Sequence, residues 1–383
     1  MQHFASDNYA PVHPEVMAAI AAANVGAAVS YGDDPVSARL QERASEVFGE
    51  RARIFPVLNG TGANVISLMA AAPRWGGVIA SDVAHVHTDE NGAPERVGGL
   101  KILAVPSVAG RVGPDAVDRY AADLGNVQRA QPAVLSLTQV TELGTVYSPA
   151  DLKLLADAAH AAGLHVHMDG SRLANAAATL GVGLREITTD VGVDIVSLGA
   201  AKNGGMLGEA VVVLSDGAAA RGLGDAVPYL RKATMQLASK TRFLSAQLLA
   251  LLGEPGTPTS GTGESAPLWL RNATHSNAMA ARLRAGLESS VPTVPSVPTA
   301  PGGPDAVDQS GGAGAVRFTC PTEANVVFAT LPRAAADRAR NHARFYDWAP
   351  GETPDRVEVR WMCAWDTTEE DVDAFVRAVA DAL

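Results

Sequence analysis

Short runs dense in aliphatic and β-branched residues recur along the chain: "GVIAS" near residue 79, "KILAV" from Lys101, "AVLSL" from Ala133, "LHVHM" from Leu164, "DIVSL" from Asp194 and "EAVVVL" from Glu209. Helical patterning fills the gaps between them. That alternation predicts an α/β fold in which a mostly parallel sheet is covered by helices. One crossover helix is fully punctuated: Ser148 caps it, Pro149 takes the first position, and Asp151 stands three residues after the cap. Leu152, Leu155, Ala156 and Ala159 then form one apolar face, and Gly163 stops it. A longer helix is predicted from Pro228 to about Leu252, where Leu230, Leu237, Leu244 and Leu251 keep a heptad spacing.

The tract "GEPGTPTSGTGESAP" that follows has the composition of a loop and marks a domain boundary. The chain divides on this reading into an N-terminal arm (1–15), a large domain (16–253) and a smaller α+β domain (254–383). Inside the smaller domain a Pro/Gly-rich tract near 291–315 is expected to be a mobile surface insertion. Order returns with "ANVVFATL", "RVEVRWM" and a last helix capped by Thr367 with Glu370 three residues on.

Composition narrows the functional classes. A length of 383 residues suits two domains, and 47% hydrophobic with 19% charged residues is ordinary globular usage. No apolar run approaches the roughly 18 residues of a membrane span, and the first residues, "MQHFASDNYAPVHPEV", lack the basic and apolar regions of a secretory signal. Two cysteines fit a reducing cytoplasm. The net charge of -11 argues against a nucleic-acid partner. These features predict a cytoplasmic protein that acts on small molecules.

Candidate chemistry gathers at the ends of the predicted strands, where ligands sit in open α/β sheets. Lys202 follows "DIVSLGAA" with Gly199 before it and Gly204 and Gly205 after it, and the chain has only four other lysines. Glycines let backbone approach a ligand, and a desolvated amine becomes nucleophilic. In "LHVHMDGSR" the alternation brings Asp169 out at a strand end, with Arg172 just beyond. "NGTGANV" sets Gly60 and Thr61 at a helix start, where free N–H groups favour phosphate. An anion cup, a buried acid and an isolated lysine are the requirements of pyridoxal phosphate. Taken singly, each residue also has a plain structural reading. Asp169 could cap a turn, Arg172 could form a structural ion pair, and Arg360 could be a solvated strand residue. His85 and His87, like His165 and His167, could be zinc ligands or packed histidines on strands.

The stretches "SDNYAPVHPEVMAAI", "YGDDPVSARLQERASEVFG", "AHVHTDENGAPE", "LTQVTELGTVY" and "HMDGSRLANA", with "LGAAKNG" about 30 residues after the last, resemble the threonine aldolase branch of the fold-type I pyridoxal-phosphate enzymes. The resemblance covers nearly the whole chain. It implies a large domain with a seven-stranded-type sheet, a small C-terminal domain, a homodimer or homotetramer, and cleavage of L-threonine, L-allo-threonine or a related β-hydroxy-α-amino acid to glycine and an aldehyde. By that resemblance Lys202 carries the cofactor, Asp169 pairs with its ring nitrogen, Gly60 and Thr61 hold the phosphate, and His85 stacks on the ring. Ser6, Arg172 and Arg360 would hold the substrate carboxylate, and no metal is called for. Where many of these aldolases carry a histidine, "LTQVTELGTVY" offers Glu142 or Thr141, so the base for the β-hydroxyl is His85 or Glu142. A β-eliminating lyase or aminotransferase using the same cofactor, and a non-catalytic binding protein of the same fold, stay open as alternatives.

Overall fold

The computed structural model describes residues 2–214, 222–294 and 315–383. Its strands, in chain order, are β1 (Gln2–His3), β2 (Arg53–Val57), β3 (Gly76–Ser81), β4 (Lys101–Val105) and β5 (Gln131–Thr138). Then come β6 (His165–Gly170), β7 (Ile195–Leu198), β8 (Glu209–Val213), β9 (Thr293–Val294) and β10 (Val316–Phe318). The last are β11 (Val326–Pro332), β12 (Ala343–Arg344), β13 (Tyr346–Pro350) and β14 (Arg356–Met362). Seven of them form one sheet in the order β2-β8-β7-β6-β5-β3-β4, in which β8 alone runs against its neighbours. All six apolar runs of the sequence are strands in it. They stand out because β3, β7 and β8 are buried at every position, as strands covered on both faces must be. The seventh, β2, lacks that signature: it lies at the sheet edge, begins on the exposed Arg53 and contains Pro56, which an edge tolerates.

The crossover helix Pro149–Ala161 has the predicted cap, capping box and buried face. The predicted helix from Pro228 to Leu252 is two helices, Leu223–Ala233 and Arg242–Leu252, with Pro228 inside the first. Heptad leucines are compatible with a break between them. Here Met235 takes a left-handed φ of 63°, and the chain returns to the sheet edge so that Gln236 can accept the Leu58 N–H at 2.9 Å. The final helix, Glu369–Ala382, is capped by Thr368 with Asp371, one residue later than predicted. The Thr367 hydroxyl accepts the Ala364 N–H instead.

A second sheet, β13-β14-β11-β10-β9, carries its own apolar core around Trp361, Phe345 and Phe375. The Pro/Gly-rich tract from 295 to 314 lies outside the described residues. The helix Leu268–Ser290 joins the two units: Leu268 and Trp269 pack in the core of the large sheet, Leu283 and Leu287 in that of the small one. The N-terminal arm belongs to the smaller unit. β1 pairs with β12, Phe4 exchanges backbone hydrogen bonds with Arg344 and Met362 at 2.8 Å each, and its ring stacks on Phe375 at 4.5 Å. With Phe4 fully buried, a Phe4→Ala variant should lose about 3–5 kcal/mol, read as a lower urea midpoint at unchanged slope. A wild-type midpoint would mean that backbone pairing alone holds the arm.

Candidate active site

Parallel strands deliver their carboxyl ends to one place. β3 leads to His85, β5 to Glu142, β6 ends on Asp169 and Gly170, and β7 leads to the single turn Ala201–Asn203 that carries Lys202. Gly199 makes the last two meet. A Cβ there would lie 2.4–2.7 Å from backbone atoms of Ser171, a distance that no side chain fills. Lys202, half-buried, follows this crossing. Burial first, and then the charge of Arg172, lowers its pKa, and among the described residues the amine has no hydrogen-bonded partner.

Asp169 is held from two sides. Asn64 donates to Oδ2 at 2.8 Å and the Ser171 N–H to Oδ1 at 3.0 Å. Burial would raise its pKa, but the Lys202 charge and these donors hold it below the usual carboxylate range. Asn64 gives a further hydrogen bond to Glu90 Oε1 at 2.8 Å, which also meets His85 Nδ1 at 2.9 Å. The ligand atoms of His85, Glu90 and Asp169 lie within 4.8 Å of one another, with the Asn64 amide bonded to both acids. The Glu90 hydrogen bond raises the pKa of His85 above its ordinary value, and burial raises that of Glu90.

Glu142 Oε1 accepts the His85 N–H at 2.7 Å and the Thr138 hydroxyl at 2.9 Å, while its buried Oε2 has no partner. Burial, aided by the Asp169 charge, pushes its pKa up to about 7. Thr141, the other candidate at this position, commits its hydroxyl to Thr145 at 2.8 Å. One histidine pair departs from the strand reading, while His165 and His167 lie on β6 as read. His85 and His87 lie on a short helix, with His87 exposed. On β6, His167 bonds Ser136 and Ser197 through its two ring nitrogens, and burial lowers its pKa to about 4.

The helix Gly60–Ala71 opens onto a cavity that is also lined by His85, Asp169 and Lys202, with Gly60 and Thr61 in its lining. Asn59 caps it by accepting the Gly62 N–H at 2.8 Å; a Cβ at Gly60 would meet nothing within 4 Å, whereas one at Gly62 would strike Gln236. The Gly60 end is therefore an open cradle.

The carboxylate-binding candidates come from three parts of the chain. Arg172 uses its Nε and Nη2 edge on Asp7, at 2.7 and 2.9 Å, and Asn325 supports the same acid at 3.2 Å. Its Nη1 is left over. Arg360, on β14, donates from Nη2 to the Ala5 carbonyl at 3.1 Å and lies over the Trp348 ring, while its buried Nε is unpartnered. Ser6 accepts the Asn8 N–H at 3.2 Å and caps the turn that begins at Asp7. Sequence reasoning missed Asp7, Asn64, Glu90 and Glu209. Asn64 stands one helical turn beyond Gly60, a spacing that could have marked it. No local signal marks the others.

A seven-stranded, mostly parallel sheet, a second small sheet, and an acid and a lysine at adjacent strand ends define the fold-type I architecture of pyridoxal-phosphate enzymes. The chain belongs to the Beta-eliminating lyase family, whose model matches residues 3–361. It is 36% identical to a low specificity L-threonine aldolase of Pseudomonas aeruginosa, over 99% of this chain and 97% of that protein. A Leishmania major threonine aldolase structure superposes with a TM-score of 0.84 at 25% identity, covering 99% of this chain and 98% of that one. A chain described as SPT with PLP shares the fold, with a TM-score of 0.66 at 16% identity over 99% of this chain and 86% of that one. The resemblance seen in the motifs is borne out.

The Gly199 crossing gives a direct check. A Gly199→Ala variant should force Ser171 away, costing about 1–3 kcal/mol through overpacking, and should misplace Asp169 and Lys202 together. Thermal denaturation that matches wild type would remove Gly199 from its role in setting their separation.

Proposed function

We propose that this chain is a pyridoxal-phosphate-dependent aldolase that cleaves L-threonine, L-allo-threonine or a related β-hydroxy-α-amino acid to glycine and an aldehyde. One observation carries the reading: a half-buried lysine amine with no hydrogen-bonded partner among the described residues and an ionised aspartate share a cavity with an open helix N-terminus. The full-length likeness to a low specificity L-threonine aldolase supplies the reaction class.

The residues present suit the cofactor. Gly60 offers an open cradle, Lys202 has no hydrogen-bonded partner among the described residues, and Asp169 is held as an anion. When bound, pyridoxal phosphate supplies an aldehyde carbon for an amino group and a protonated ring that accepts the electron pair of a breaking bond. Lys202 Nζ is the attachment nucleophile, made available by burial. The Gly60 and Thr61 N–H groups take the phosphate, and Asp169 holds the proton at the ring nitrogen, aimed by Asn64 and the Ser171 N–H. Arg360 Nε, Arg172 Nη1 and the Ser6 hydroxyl take the substrate carboxylate. Glu142 Oε2 or His85 Nε2 accepts the β-hydroxyl proton, and the two are joined through the His85 N–H. Among the described residues no helix is long and apolar enough to cross a membrane. We assign the enzyme to the cytoplasm as a homodimer or homotetramer.

The reading is tested by supplying L-threonine, L-allo-threonine or L-phenylserine with pyridoxal phosphate and no keto acid. Stoichiometric glycine and aldehyde are expected. Ammonia with a keto acid would make it a β-eliminating lyase, a strict need for a keto acid acceptor an aminotransferase, and failure to take up the cofactor a binding protein.

The pH dependence separates the two bases. A carboxylate with a pKa of about 7 works as a base only when ionised, so activity should fall as pH drops through about 7. Glu142→Gln should remove that limb and slow turnover roughly 10²–10⁴-fold. A retained limb with near-normal turnover would take the base role from Glu142.

A further inference from the structure

Glu209 has no part in the reading above, yet it lies among the reacting groups. It opens β8 opposite Val57, is 8% exposed, and lines the same cavity as Lys202 and Asp169. Taking a carboxylate out of water is costly unless it is paired or well hydrogen-bonded. Among the described residues no arginine or lysine bonds this one. Instead its Oε2 accepts the N–H of Ala200, the residue at the head of the turn Ala201–Asn203. The far end of that turn is held by neutral groups: Asn203 donates to the Trp269 carbonyl at 2.9 Å, and Asn272 donates to the Asn203 carbonyl at 2.8 Å. Lys202 thus sits in a turn tied down at both ends, and only the Glu209 tie is ionisable.

The charges that act on Lys202 are Arg172, Asp7, Asp169 and Glu209; those on Glu209 are Lys202 and Asp169. Burial pushes the pKa of Glu209 up to about 7. It is therefore neutral below that pH and presents an anion to the amine above it.

We propose that Glu209 is a positioning residue for Lys202: its carboxylate tethers the turn that carries the lysine, and its charge governs when the amine is free to join pyridoxal phosphate. The proposal rests on Lys202 being the attachment point. Tether and charge separate by substitution. Glutamine keeps an oxygen for the Ala200 N–H but removes the charge, and alanine removes both. An anion near an ammonium favours its protonated form, so losing the anion frees the amine at lower pH.

The experiment mixes apoprotein with pyridoxal phosphate across pH 6 to 10, traps the product with borohydride, and measures label on the Lys202 peptide by mass spectrometry. In Glu209→Gln the midpoint of labelling should fall by roughly one pH unit. In Glu209→Ala labelling should be more than tenfold slower at every pH. An unchanged midpoint in Glu209→Gln overturns the proposal, and the glutamine variant carries the test alone if the alanine variant does not fold by circular dichroism. Wild-type protein that takes no label on Lys202 would overturn the cofactor reading itself, a separate result.

Discussion

Five ionisable side chains, Asp7, Asp169, Arg172, Lys202 and Glu209, lose most of their water where β6, β7 and β8 meet, and the structure depends on how that cost is met. Buried charges are tolerated when they are paired and hydrogen-bonded. Asp169 has Asn64 and the Ser171 N–H, Asp7 has the Arg172 fork and Asn325, and Glu209 has the Ala200 N–H. Among the described residues Lys202 has charge neighbours but no hydrogen-bonded acceptor. The amine is held only by the charges of Asp7, Asp169 and Glu209, and strong hydrogen-bonded pairing would have suppressed its nucleophilicity further.

The same constraint explains why the smaller unit and the arm reach so far. Arg360 lies 188 residues beyond Arg172 in the chain, yet the charge of Arg172 lowers its pKa, after burial. Ala5 accepts the Arg360 Nη2 while Asp7, two residues later, accepts Arg172. The arm can hold this bridge because Phe4 is anchored in the small core, and the helix Leu268–Ser290 ties the units again where Asn272 donates to Asn203 beside Lys202. A cluster drawn from three separated segments exists only in the folded chain.

This bears on what was legible beforehand. Strands buried on both faces announce themselves as apolar runs, so six of the seven in the large sheet could be read, and the edge strand β2, with Pro56, could not. Asp169 and Lys202 were legible because each is polar at the close of such a run, where the apolar pattern breaks. The heptad Leu230 to Leu251 misled because a period of seven carries no information about a left-handed residue such as Met235 between its repeats. Asp7 was silent for a different reason. Its partners lie 165 and 318 residues away, and only tertiary structure brings them together.

The division of labour among the acids follows from Asp169. Lys202 and two donors keep it ionised despite burial, and a fixed anion in a low dielectric makes a second one nearby more expensive. Glu142 and Glu209 both feel it: burial is the larger cause for each, the Asp169 charge adds to it, and both titrate at about 7. Like groups driven to unlike states by their surroundings mark separate acid and base roles. One carboxylate, Asp169, is held below the usual carboxylate range. Two others are poised to gain or lose a proton near neutrality, Glu142 with a free oxygen and Glu209 beside the lysine. Moving Asp169 to a drier or less hydrogen-bonded position would erase this separation, because the protons of all three acids would then compete. The hydrogen bonds from Asn64 and Ser171 therefore do more than orient one side chain: they hold the charge against which the other two are set.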